Sequence, residues 1–105
     1  MTDKLLVLST TGSEAEAQKI AHALVERHLA ACVNIIPRIQ SVYRWQGKVE
    51  RSEEYLLLIK TVKAKFDEVQ TALAELHSYE LPECIAVSIE GGSTEYLKWL
   101  SDSVA

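Results

Sequence analysis

A chain of 105 residues with 11 Lys and Arg against 15 Asp and Glu carries a formal charge of −4 at neutral pH, and 48% of its residues are apolar. That is one soluble domain with a modest core, and it lacks the basic patch that nucleic-acid binding requires. No run approaches the ~18 apolar residues of a membrane span. The start, Met1 to Leu5, lacks a basic segment followed by a long apolar stretch. A cytosolic protein is expected, with Cys32 and Cys84 kept as thiols.

The first element, Lys4 to Thr10, is a short apolar run and reads as a buried strand. Ser13 and Glu16 fit a capping box, and Ala17, Ile20, Ala21, Leu24 and Val25 recur at helical spacing, predicting a helix from Ser13 to Leu29. From Cys32 to Trp45 the apolar residues Val33, Ile35, Ile39, Tyr43 and Trp45 share odd parity, as one face of a long strand would. Pro37 cannot donate to a ladder and belongs at an edge or a bend. Gln46-Gly47-Lys48 signals a turn, and Glu54 to Thr61 is the returning strand of an antiparallel hairpin.

Phe66, Val69, Leu73 and Leu76 predict a second helix from Lys63 to His77, and Pro82 ends it. Ile85, Val87 and Ile89 alternate with Cys84, Ala86 and Ser88 as in a strand with one apolar and one small face. Gly91-Gly92 stops it, and Ser93 or Thr94 caps a last short helix carrying Tyr96, Leu97 and Leu100. The order β-α-β-β-α-β-α predicts an α+β, ferredoxin-like split β-α-β sandwich. Its four-stranded antiparallel sheet has the two main helices on one face, with a short C-terminal helix added. The strands are apolar on both faces, Tyr55 to Ile59 most clearly, whereas the main helices cover only one. A second copy of the chain is expected on the other, anchored by Tyr43, Trp45 and Tyr55.

Five motifs together resemble the CutA divalent-cation tolerance family. They are Ala31-Cys32-Val33-Asn34-Ile35, Ser41-x-Tyr43-x-Trp45-x-Gly47-x-x-Glu50, Glu54-x-x-Leu57-x-x-Lys60-Thr61, His77-x-Tyr79-Glu80-x-Pro82-Glu83, and Tyr96-Leu97-x-Trp99-Leu100. They span nearly the whole chain in order. The resemblance implies a ferredoxin-like fold, a homotrimer, a role in handling divalent metals with copper foremost, and no established enzymatic activity. Three copies would carry a charge of −12, three times −4, which favours cations over nucleic acid as partners. Two departures stand out. Ser78 replaces the Pro that usually follows the motif's His, and Ser9 and Thr10 stand where some members carry a further Cys, a possible soft ligand. Cys84 falls where a branched apolar residue is expected.

Cys32 reads either as a small buried hydrophobe or as a thiolate ligand for a soft metal, and the resemblance favours the ligand. His77, at the predicted end of the second helix, reads as a residue favoured by the helix dipole or as an imidazole ligand, with Glu80 and Glu83 near it. The expected metal set is Cys32, His77 and Glu83. Tyr43, Trp45, Glu50, Tyr55, Lys60, Tyr79 and Glu80 are expected at an inter-subunit cleft or interface. A second reading is a trimeric signalling or scaffold module that binds a small molecule or protein in clefts between subunits. No phosphate loop, nucleophile elbow or triad order is present, and the strand-to-helix turn at Ser9 to Gly12 reads as an ordinary capped turn. His22 and His28, six apart, do not form a helical metal pair.

Overall fold

In a computed structural model that describes residues 2–105, the chain runs β1 (Lys4–Thr11), α1 (Glu14–Glu26), β2 (Cys32–Trp45), β3 (Lys48–Val62), a short 3-10 turn (Lys63–Lys65), α2 (Phe66–Leu76), β4 (Ile85–Ser88) and α3 (Thr94–Ser103). The strands form one antiparallel sheet in the order β2-β3-β1-β4, as the split β-α-β reading requires. Odd-numbered residues of β1 and β3 face α1 and α2. Val7, Leu57 and Ile59 are fully buried there with Ile20, Leu24, Val69 and Leu73.

Three boundaries differ from the sequence reading, each for a local reason. α1 stops at Glu26 because His28 adopts a left-handed conformation (φ 58°) and turns the chain back, with Leu29 N–H bonding to the Leu24 carbonyl. β3 starts six residues before Glu54. Gln46 and Gly47 both have positive φ (50° and 79°), and this tight turn holds the polar hairpin tip in register from Trp45 opposite Lys48. The segment Lys63–Lys65 is a 3-10 turn leading into α2.

The expectation that Val33, Ile35, Ile39, Tyr43 and Trp45 share one face is corrected. Ile36 pairs with Leu56 but Ile39 pairs with Glu54, so β2 carries one extra residue at Pro37-Arg38, where Arg38 is left-handed (φ 57°). This bulge inverts the parity. Val33 and Ile35 lie opposite Ile59 and Leu57, on the helix side. Ile39, Tyr43 and Trp45 lie opposite Glu54, Glu50 and Lys48, on the far side.

The far face is only partly bare. α3, capped by the Ser93 hydroxyl, lies across one end of it, where Leu100 and Val104 bury against Val62 and Ala31. The rest, Leu6, Leu8, Leu56 and Leu58, is half-buried. It continues into exposed Ile36, Ile85 and Val87.

Candidate functional site

The segment after α2 is tied to the body by side chains that a loop of its composition would otherwise leave in water. His77 is buried, and its Nε2–H donates to the Thr10 carbonyl at 2.6 Å while Nδ1 accepts from Tyr79 N–H at 3.1 Å. Those two partners define the neutral Nε2–H tautomer. His77 thus has a structural role that neither sequence reading gave it: the ring pins the loop to the end of β1.

Glu16 is the second anchor. Its carboxylate accepts from the hydroxyl of Thr11, from Ser78 N–H at 3.0 Å and from the Ser78 hydroxyl at 3.2 Å. The Ser13 hydroxyl caps α1 by accepting from Glu16 N–H, but the Glu16 side chain reaches across to the loop instead of closing the capping box. Burial pushes the Glu16 carboxyl up. The hydrogen bonds from Thr11 and Ser78 outweigh it and hold the group below its ordinary value. Ser78 thus stiffens the loop through two hydrogen bonds that a Pro could not make.

Tyr79 turns inward. Its ring lies 4.6 Å from that of His77, centroid to centroid, and its hydroxyl donates to Glu54 Oε2 at 2.6 Å. Burial first, and then the bond to Glu54, push the phenol well above its ordinary value, so Tyr79 stays a donor. Gly12 makes room for it: a Cβ there would stand 3.1 Å from the Tyr79 hydroxyl. Between this loop and the hairpin lies a cavity of about 740 Å³, lined by Tyr43, Trp45, Glu54, Tyr79, Glu80 and Glu83 among others. The bulge in β2 is what aims Tyr43 and Trp45 at it. The Tyr43 hydroxyl is further fixed by Ser52 Oγ at 3.3 Å.

The other expected site residues lie elsewhere. Cys32 is half-buried at the start of β2, opposite Lys60, with its thiol 3.7 Å from Asn34 Oδ1. Thr10, the anchor of His77, lies opposite Leu56, four residues along β3 and so about 13 Å away along the strand. Cys32, His77 and Glu83 do not meet within one chain. Among the described residues no three His, Cys, Asp or Glu side chains are placed to hold one metal ion. Lys60 donates to the Tyr96 hydroxyl at 3.4 Å and does not line the cavity. Tyr55 packs with the main core. Glu50 is exposed on the hairpin opposite Tyr43.

The family model of the CutA1 divalent ion tolerance protein matches residues 5–103. The chain belongs to the CutA1 family. A CutA1 relative from Thermus thermophilus, a divalent-cation tolerance protein CutA, is 48% identical over 98 residues, covering 93% of this chain and 95% of the relative. The chloroplastic CutA of Arabidopsis thaliana is 42% identical over 99 residues, covering 94% of this chain and about half (54%) of the relative's length. The crystal structure of CutA from Xylella fastidiosa superposes with a TM-score of 0.97 at 42% identity, covering 99% of this chain and 100% of that one. The ferredoxin-like fold is thus shared with solved CutA proteins. The family is named for tolerance of divalent ions and not for a reaction.

Sequence reading missed Glu16 and Ser78 as loop anchors and Thr10 as the partner of His77. The sequence reading gives Glu54 only as the first residue of the returning strand and of one motif. The signal that marks Glu54 is a carboxylate opening an otherwise apolar strand, a position where a solvated charge is not expected.

Proposed function

We propose that this protein is a cytosolic homotrimer that binds divalent metal ions, copper foremost, and contributes to tolerance of them, without catalysing a reaction. Membership of the CutA1 family carries this reading. Supporting it are an acidic chain, two free thiols and an apolar far face left half-covered by α3. Cys32 supplies the soft ligand. His77 and Glu83 join it only from another copy of the chain, and His77 only by giving up a present hydrogen bond. Any such mixed site prefers Cu(II) over Zn(II) by the general stability order of divalent ions.

Calorimetry with Cu(II) and Zn(II) on the native protein, Cys32→Ser and His77→Ala tests the assignment. Binding should weaken about tenfold or more in Cys32→Ser. Equal binding by all three would sink it.

A further inference from the structure

We propose that the loop after α2 is a latch that metal ligation by His77 must open. One ring nitrogen either holds the loop closed or binds a metal ion, never both. The inference deepens the metal reading and rests on it, since it concerns His77 as a ligand.

Both nitrogens of the ring are engaged within one chain. Nε2–H donates to the Thr10 carbonyl at 2.6 Å, and Nδ1 accepts from Tyr79 N–H at 3.1 Å. A metal ion needs an unprotonated ring nitrogen. Nδ1 is the nitrogen that carries the lone pair, and the loop backbone occupies it. A bond from the other ring N–H to a backbone carbonyl is what orients a metal-binding imidazole, so the bond to Thr10 can stay. Nδ1 is therefore the nitrogen a metal takes, and Tyr79 N–H is the group that leaves. Glu16 Oε2 stands 3.7 Å from Nδ1, so negative charge already faces that nitrogen.

Access follows the same logic whatever the assembly. The His77 side chain has no exposed surface in a single chain, and packing of further copies can only cover more. An ion reaches Nδ1 only when the loop lifts. Residues 78–84 make no backbone–backbone hydrogen bond among the described residues. Side chains hold them instead: His77 on Tyr79 N–H, Glu16 on Ser78, and the Tyr79 hydroxyl on Glu54. A segment without a ladder opens at less cost than the sheet beside it. Its opening takes the Tyr79 hydroxyl off Glu54, so metal at His77 also reshapes the cavity beside the hairpin. The coupling is reciprocal, and whatever loosens the loop favours the metal.

The test follows the Tyr79 amide and the His77 Nε2 proton by NMR in the native protein, with and without Zn(II), a diamagnetic ion that leaves amide signals visible. Saturating Zn(II) should speed exchange of the Tyr79 amide about tenfold or more and leave the Nε2 proton in place. Calorimetry adds the reverse direction. Ser78→Ala removes one hydroxyl bond from the closed loop and should bind Zn(II) about threefold more tightly than the native protein, a gain that vanishes once His77→Ala is added. A Tyr79 amide still protected at saturation, a lost Nε2 proton, or no gain in Ser78→Ala, while His77→Ala alone weakens binding, would overturn the latch and leave the metal reading standing. An affinity unchanged in His77→Ala, or no uptake at about 1 mM Zn(II), would overturn the latch together with the place of His77 in the metal reading.

Discussion

At the scale of single residues, two polar side chains act in opposite senses on stability. Ser9 sits fully buried on the helix side of β1, and its hydroxyl has no hydrogen-bond partner among the described residues. An unsatisfied buried hydroxyl costs about 1–3 kcal/mol, so Ser9→Ala should raise stability by about 1 kcal/mol in a urea unfolding series. A lower midpoint would show that the hydroxyl has a partner in solution. Glu16 works in the opposite sense. Its folded-state pKa lies below the ordinary value, so its stabilisation is complete above the unfolded pKa of about 4.3 and is lost as pH falls through the lower folded value. Glu16→Gln should remove that acid-side step from a pH-stability profile and lower neutral-pH stability by about 1–3 kcal/mol. An unchanged profile would mean the loop is anchored by His77 alone. None of this was legible in the sequence. Ser13-x-x-Glu16 carries the spacing of a capping box whether or not its Glu turns toward a loop 62 residues away.

At the scale of elements, the strands and helices were legible because each repeats its own period. Leu5, Val7, Leu57 and Ile59 alternate, and Val69 and Leu73 lie on one side of a helix. The bulge was not legible, since Pro37 marks a disturbance but does not say whether a residue is inserted. Its consequence is large, because one extra residue moves Tyr43 and Trp45 to the other face. Deleting Arg38 should therefore restore the parity and take Trp45 off the cavity while leaving the sheet intact. The chemical shift of the Trp45 indole N–H would report the change. A Trp45 indole in the same surroundings after the deletion would show that the hairpin is placed by something other than this bulge. The loop after α2 is the other element that spacing could not resolve. His77-x-Tyr79-Glu80 has the composition of a solvated turn, and only contacts distant in sequence, with Thr10, Glu16 and Glu54, make it a wall of the cavity.

At the scale of the whole molecule, the element order led to the four-stranded sheet that is observed, while strands apolar on both faces led to the expectation of a second copy on the far face. α3 takes one end of that face, and Leu6, Leu8, Leu56 and Leu58 remain half-buried beside exposed Ile85 and Val87. The same separation explains the metal ligands. Cys32 and the Thr10 anchor of His77 lie about 13 Å apart along the strands, so the proposed shared ion requires more than one chain. Native mass spectrometry after equilibration with Cu(II) puts assembly and metal in one spectrum. A particle of three 11.7 kDa chains that holds copper, with copper but not mass lost in Cys32→Ser, is the predicted result. A single-chain mass, or copper retained undiminished by Cys32→Ser, would contradict it.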